Sequence, residues 1–178
     1  MSSILNFATT RRRLLLALAT WPVAGLATAA ADSPTAGFKR WGSGEFRRFG
    51  FLVYEATLWV GGEDPLRPPL ALKLTYKRSI AGRAIAEASV KEIRNLGLAD
   101  ERLLKTWGEQ MARLFPDVRD GDHILGVYQP DSARFYFNDR LLGSIDDPAF
   151  ARAFFAIWLD AKSSAPELRN LLLTRGTG

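Results

Sequence analysis

Apolar residues occupy both faces of the segment 49–60, which is the longest β-type run in the sequence. In a strand, successive side chains point to opposite faces of the sheet. One face of this run carries only apolar or tyrosine side chains, and the other is also apolar except at Glu55 and Thr57. Strands with two apolar faces are typical of covered sheets. We therefore expect this strand to be central in its sheet and covered on both sides.

Shorter alternating runs predict two neighbours for the long strand. Residues 38–46 predict a first strand, interrupted by two glycines, and Arg47 and Arg48 follow as the turn. Residues 70–76 predict a third strand, because three leucines share one of its faces.

The spacing of apolar residues becomes helical after Ser79, which predicts two helices. The first should end at Gly97, a residue that tolerates the left-handed conformation at a helix end. The second should begin after the capping residue Asp100 and end at Pro116. Its apolar stripe is the most regular in the chain and consists of Leu103, Leu104, Trp107, Met111, Leu114 and Phe115.

Strands followed by helices recur in the second half of the chain. Residues 123–129 predict a strand, and residues 134–145 predict a hairpin with a short loop around Asn138. Asp147 and Pro148 are typical of a helix start, and a last helix follows Pro166. Segregated runs of strands and helices favour an α+β fold, with helices packed on one face of an antiparallel sheet.

The first 31 residues are organised like a secretory signal. Three arginines precede an apolar stretch that ends in small residues with the A-x-A cleavage pattern. The paired arginines resemble a twin-arginine signal, with a Sec signal or an uncleaved anchor as alternatives. The apolar stretch is too short for a stable membrane span. We expect residues 1–31 to be the signal peptide of a bacterial periplasmic protein, residues 32–37 a flexible leader, and residues 38–178 one domain.

Composition excludes several kinds of chemistry. Removal of the signal lowers the net charge from +5 to about +2, and the remaining basic residues are scattered, so we expect no nucleic-acid partner. The absence of cysteine excludes disulfides and thiolate chemistry. His123 is the only histidine and has no obvious nucleophile motif, so we interpret it as structural. Aspartates at 120, 122, 146 and 147 lack the spacing of a calcium loop and are typical of a turn and a helix cap.

Three stretches of the chain resemble bacterial chalcone isomerase-like proteins, the exported relatives of chalcone isomerase and fatty-acid-binding proteins, and they occur in the same order as in that family. They are GSGEFRRFGFLVYEATLWV at 42–60, LKLTYKRSI at 72–80, and YQP with FYFNDRLLGSIDDPAFARAFFAIWL in 128–159, followed by LRNLLL. The resemblance implies an open-faced β-sandwich, an antiparallel sheet with helices over one face. It also implies a small-molecule cleft between sheet and helices, with no cofactor and no metal.

In the family's enzymes, an arginine on the first strand holds the reacting enone and the developing charge. A threonine on the long strand, with a tyrosine and an asparagine on a helix, positions ligand and water. Matching the motifs puts the arginine position on Phe46, the threonine position on Tyr54, and the helical positions near Ile80 and Glu87. Arg47 follows Phe46, but its side chain should point to the opposite face. Phenylalanine cannot stabilise a developing negative charge, so the match argues against chalcone cyclisation.

The candidate ligand-binding residues are Tyr54, Arg47, Thr75 and Phe46. The hydroxyl of Tyr54 could bind a ligand oxygen or bond within the core. Arg47 and Arg48 could guard a cleft for an acidic ligand or form a solvated turn. Either Thr75 or Tyr76 could face the cleft. Five aromatic residues could line a pocket or fill the core, namely Trp107, Phe115, Phe154, Phe155 and Trp158.

The main hypothesis is an exported, non-catalytic protein that binds a small apolar ligand with an acidic or carbonyl end, such as a fatty acid. One alternative is an intramolecular lyase or isomerase that acts on chalcone-like substrates through Tyr54 and a basic residue that replaces the missing arginine. Another is an interaction protein whose cleft is collapsed. A cavity between Tyr54 and the helices would separate the last hypothesis from the other two.

Overall fold

The structure, a computed structural model, describes residues 33–176, so the predicted signal peptide lies outside the described residues. The elements are β1 (Lys39–Arg48), β2 (Phe51–Val60), β3 (Leu70–Tyr76), α1 (Gly82–Leu96), α2 (Glu101–Leu114), β4 (His123–Tyr128), β5 (Ala133–Phe137), β6 (Arg140–Ile145), α3 (Pro148–Leu159) and α4 (Pro166–Leu173). Their order is the predicted one. No helix within residues 33–176 has the length and apolar character that a membrane crossing needs.

The strands form one antiparallel sheet in which each strand pairs with its neighbour in sequence, from β1 to β6. The main core lies on one face of this sheet, where side chains of β2, β3, β4 and β5 meet all four helices. Helix α3 is apolar nearly all round and buries eight of its twelve residues. The predicted α+β fold, with helices over one face of an antiparallel sheet, is confirmed.

The opposite face of β2 is not covered by a helix of the described chain, contrary to expectation. Glu55 is exposed there, and Trp59 packs only against a small cluster that includes Ala71 and Leu125. The ammonium of Lys73 lies 5.3 Å from the centre of the Trp59 ring. Apolar residues on this face therefore pack against neighbouring strands. The strand itself is internal to the sheet, between β1 and β3.

The first hairpin turn consists of Phe49 and Gly50, not of Arg47 and Arg48 as predicted. Both turn residues have positive φ angles, 51° and 81°, as type I′ turns require. Arg47 and Arg48 are instead the last residues of β1 and pair with residues of β2.

The pairing of β1 with β2 shifts by one residue near this turn. Phe46 pairs with Tyr54, but the next pair is Arg47 with Leu52, so Val53 is an extra residue in β2. Such a bulge reverses the faces of the residues beyond it. Leu52 therefore lies opposite Arg47, and it does not share the face of Tyr54 as the alternation predicted.

The two glycines of β1 allow helix α4 to approach the sheet. The sequence predicted that they interrupt the strand, but β1 is continuous from Lys39 to Arg48. A Cβ atom on Gly42 would overlap the backbone carbonyl oxygens of Leu171 and Leu172 in α4.

Three of the predicted helix ends are confirmed. Gly97 ends α1 with a φ of 69°. The Asp100 carboxylate accepts a hydrogen bond of 2.8 Å from the Leu103 N–H, and Asp147 accepts from the N–H groups at the start of α3. Helix α1 starts later than the motif match implied, because Ile80 forms an isolated bridge with Val118 before the helix begins.

We expect Gly42→Ala to lower the free energy of unfolding by about 2 kcal/mol, because the added methyl must push the α4 backbone away from β1. Gly62→Ala is the matched control, since an added Cβ there meets no atom within 4 Å. Urea denaturation measures both. Equal stability of the two variants would contradict the close packing of α4 on β1.

Candidate functional site

A cavity of about 680 Å³ lies between the sheet and the helices α1 and α3, beside the β1–β2 hairpin. This volume lies within the range of small-molecule sites, about 300–1,000 Å³. The floor is formed by buried side chains, namely Leu74, Tyr76, Phe115, Ile124, Phe154, Ile157 and Trp158. The mouth is formed by exposed residues, which include Arg48, Phe49, Phe51, Arg78, Ala84 and Ala88.

A second groove of about 600 Å³ runs along the surface between α1 and α2. Four of its charged side chains form ion pairs, Arg83 with Glu87 and Arg94 with Glu101. These ion pairs are solvent-exposed, which is typical of a hydrated helix surface. The cavity between the sheet and the helices is therefore the candidate site.

Tyr54 is held in a fixed position at the cavity wall. The indole N–H of Trp158 donates a 3.0 Å hydrogen bond to its hydroxyl oxygen. The ring of Phe46 stacks on Tyr54 with centroids 4.9 Å apart, and Tyr76 packs against it edge-on at 6.1 Å. The Tyr54 hydroxyl is thus an acceptor toward Trp158 and keeps its own proton for donation to a ligand oxygen.

The tyrosine hydroxyls of the cavity are neutral donors. Burial raises the pKa of Tyr54 far above its usual range; the hydrogen bond from Trp158 opposes this, and the charge of Glu92 adds to it. Burial also raises the pKa of Tyr76 in the same direction, with a smaller effect from Tyr54. Both groups can donate a hydrogen bond to a carbonyl or carboxylate, but neither is available as a phenolate base.

Two arginines flank the cavity mouth. Arg48 pairs across the hairpin with Phe51, which the bulge at Val53 turns toward the cavity. The guanidinium of Arg78 lies 5.7 Å from the centre of the Phe51 ring. Within residues 33–176, neither arginine forms an ion pair with a carboxylate. Their charges are therefore available to an acidic group at the mouth.

Arg78 was missed by the sequence analysis, although a simple signal was present. It lies two residues after Tyr76, in the bend that follows β3, and both side chains line the cavity. Arg48 has the same relation to Phe46, which also lines the cavity.

The structure brings together two of the four candidate ligand-binding residues. Phe46 and Tyr54 line the cavity, whereas Arg47 and Thr75 do not. The Arg47 guanidinium lies 2.8 Å from the Glu45 carboxylate on the other side of β1. Thr75 is on the outer face of the sheet, and its neighbour Tyr76 faces the cavity.

The five candidate aromatic residues divide between the cavity and the core. Phe115, Phe154 and Trp158 line the cavity. Trp107 lies in the core and donates a 2.9 Å hydrogen bond to Asp147. Phe155 stacks on the ring of Tyr128 at 5.0 Å.

Other residues singled out in the sequence lie away from the cavity. The imidazole of His123 is 3.1 Å from the carboxylate of Asp139 in the β5–β6 turn. Asp122 accepts one hydrogen bond from the Arg119 N–H within its own turn and one from the Asn138 side chain in the β5–β6 turn. Glu87 faces the groove between α1 and α2. Residues 33–176 contain no cluster of three or more His, Cys, Asp or Glu side chains that could hold a metal.

Replacement of Tyr54 and Tyr76 by phenylalanine should weaken the dependence of stability on alkaline pH. Between about pH 9 and about pH 11, near the ordinary tyrosine pKa, the unfolded chain loses these protons while the folded chain keeps them. Stability from these groups is therefore fully present below this range, begins to fall within it, and continues to fall until pH passes the raised pKa of the folded state. The urea midpoint should fall less in Tyr54→Phe/Tyr76→Phe than in the unmodified protein.

Tyr136→Phe is the control, because Tyr136 packs in the small cluster on the outer face. An equal decline with pH in the double variant and the unmodified protein would contradict the burial of the two hydroxyls.

Comparison with known proteins agrees with this architecture. The chain is similar in structure to a fatty-acid binding protein from Arabidopsis thaliana, whose crystal structure it matches with a TM-score of 0.60 and 13% sequence identity. The match covers 80% of this chain and 89% of the plant protein. At that identity the likeness shows the fold alone. A search of curated protein sequences gave no match. Residues 42–174 match the family described as chalcone isomerase-like, and because this match spans most of the chain, the protein belongs to the chalcone isomerase-like family.

Proposed function

We propose that this protein binds, without catalysis, a small apolar molecule with a carboxylate at one end, such as a fatty acid. The ligand would occupy the cavity between the sheet and the helices. The observation that carries the proposal is the combination of an apolar floor with two arginines at the mouth that have no carboxylate partner within residues 33–176. A fatty-acid binding protein with the same fold supports this ligand class as the first to test.

The apolar floor can supply the binding free energy. Each buried methylene contributes about 0.8 kcal/mol, so about ten methylenes contribute about 8 kcal/mol. Part of this is lost in ordering the chain and the protein. Dissociation constants in the micromolar range are therefore within reach.

The charges around the cavity favour one orientation of the ligand. Glu92 lines the cavity and its charge acts on Tyr54, so a carboxylate placed deep in the cavity would be repelled. Arg48 and Arg78 lie at the solvent-exposed mouth, where a carboxylate keeps part of its hydration. We therefore orient the ligand with its tail against Phe154 and its carboxylate at the arginines.

The geometry supports binding better than chalcone cyclisation. Phe46 occupies the position of the family's arginine and stacks on Tyr54, so no positive charge lies at that point. The raised pKa of Tyr54 keeps its hydroxyl protonated. We expect chalcone to cyclise no faster with this protein than without it. The presence of the cavity also argues against the alternative of a collapsed cleft.

We also propose that the protein is exported to the periplasm of a bacterium, on the basis of residues 1–31. Amino-terminal sequencing of the periplasmic protein tests this, with a start expected after Ala29 or Ala31. Recovery of the whole chain from the cytoplasm alone would contradict it.

We expect Ala88→Trp to weaken the binding of hexadecanoic acid at least tenfold, because the indole would obstruct the mouth. Ala88 is an exposed residue of α1 that lines the cavity, so the larger side chain need not disturb the core. Ala112→Trp is the matched control, an exposed helical alanine that lines only the groove between α1 and α2. Calorimetric titration of protein stripped of lipid measures both.

The same titration separates the roles of the chain and the carboxylate. Arg48→Gln and Arg78→Gln should each weaken hexadecanoic acid about fivefold, the effect of an exposed charge pair of about 1 kcal/mol, and should leave hexadecanol unchanged. Arg134→Gln, an exposed arginine of β5, is the control. The proposal fails if the unmodified protein binds neither compound. Equal losses for acid and alcohol would remove the proposed role of the two arginines.

A further inference from the structure

The tip of the β1–β2 hairpin carries two exposed aromatic side chains. Phe49 is 87% exposed and Phe51 is 65% exposed. Within residues 33–176, the other exposed large apolar residues each lie on a different loop, strand or helix, namely Leu66, Leu98, Leu141 and Leu171. Isolated exposed leucines are common on protein surfaces, but neighbouring exposed aromatic residues mark contact surfaces.

The backbone at the tip does not favour phenylalanine. Phe49 has a φ of 51°, in the left-handed region, where asparagine, aspartate and glycine are preferred. The β5–β6 hairpin has the same kind of turn and carries the preferred residues, Asn138 and Asp139, with φ angles of 47° and 66°. The ring of Phe49 gains almost no burial in return for the strained conformation. A contact outside the chain would account for phenylalanine at this position.

The charges around the tip identify the chemistry of that contact. The carboxylate of Glu45 is paired with Arg47, and that of Glu55 with Lys77. Arg48 remains without a carboxylate partner within residues 33–176, and its guanidinium lies 5.4 Å from the Phe49 ring. Arg78 stands in the same relation to Phe51. The tip thus combines apolar rings with free positive charges.

We propose that this hairpin tip docks the protein on membranes that contain anionic lipids. Phe49 and Phe51 enter the boundary between headgroups and acyl chains, and Arg48 and Arg78 contact lipid phosphates. Two aromatic side chains suffice for such a wedge, whereas a stable protein interface needs about 800 Å² on each partner. A lipid surface therefore fits the tip better than a protein partner.

Docking in this orientation brings the cavity mouth to the bilayer, because the same four residues border the mouth. An apolar ligand could then pass between membrane and cavity without crossing water. This consequence rests on the proposed function, whereas docking itself needs no ligand in the cavity.

Sedimentation with vesicles tests the docking surface. Protein stripped of lipid is mixed with vesicles of equal parts phosphatidylglycerol and phosphatidylcholine, or of phosphatidylcholine alone. Phe49→Asn and Phe51→Ser should each lower partitioning onto the anionic vesicles about tenfold. Arg48→Gln and Arg78→Gln should each lower it about fivefold, the effect of one basic residue near an anionic surface. All variants are compared with the unmodified protein at an identical amino terminus, so their differences report on the tip.

The variant Phe49→Asn also separates docking from stability. Asparagine suits the positive φ of the turn, so the melting temperature should be unchanged or higher while vesicle binding falls. Leu141→Ser is the control, because Leu141 is 62% exposed near the tip of the β5–β6 hairpin, and its vesicle binding should be unchanged.

Equal partitioning of Phe49→Asn and the unmodified protein would overturn the proposal, as would equal binding to anionic and neutral vesicles. The titration with hexadecanoic acid in solution is independent of these results. Vesicle binding without fatty-acid binding would therefore support docking and contradict the proposed function. Fatty-acid binding without vesicle binding would support the proposed function and contradict docking.

Discussion

The register shift between β1 and β2 is the constraint on which the candidate site depends. Beyond the pair of Phe46 and Tyr54, Val53 is an extra residue in β2; a second shift lies at the far end of β1, between Arg40 and Gly42. Without this bulge, Phe51 would point to the outer face of the sheet. With it, Phe51 lies on the cavity side together with Arg48, next to the exposed turn. One local irregularity thus places Phe51 beside the arginines of the mouth and next to Phe49 at the hairpin tip.

The rest of the fold keeps the cavity open beside that hairpin. Helix α3 fills the centre of the molecule with aromatic side chains, and Phe154 packs against Phe115, Phe135 and Trp158. At the other end of β1, the backbone of α4 packs directly against Gly42, and no space remains there for a side chain. The helix-side face of the sheet is therefore closely packed around α3 and at the α4 end of β1. The cavity lies where α1 and α3 meet the hairpin end of the sheet.

Local patterns in the sequence predicted the local features of the structure. Alternation located the strands, and the caps at Asp100 and Asp147 and the stop at Gly97 depend only on neighbouring residues. The bulge at Val53 could not be predicted in this way, because it is a property of the pairing between two strands. The role of Gly42 is equally non-local, since its contact is with α4 at the other end of the chain.

The same distinction applies to the site. Tyr54 and Phe46 were identified from strand alternation and the family resemblance, and both line the cavity. Arg47 was chosen because it follows the expected arginine position, but the adjacent residue of a strand faces away. The outer face of β2 was expected to be covered because it is apolar, whereas cross-strand packing accounts for that composition. In both cases the sequence pattern allows two arrangements, and the packing of the strands decides between them.

A crystal structure of the protein with hexadecanoic acid bound tests the central claim most directly. We expect the acyl chain to lie in the cavity against Phe154 and Trp158, with the carboxylate within hydrogen-bond distance of Arg48 or Arg78. An acid bound elsewhere on the surface, or a cavity filled by its own side chains, would contradict the claim that this cavity is the ligand site.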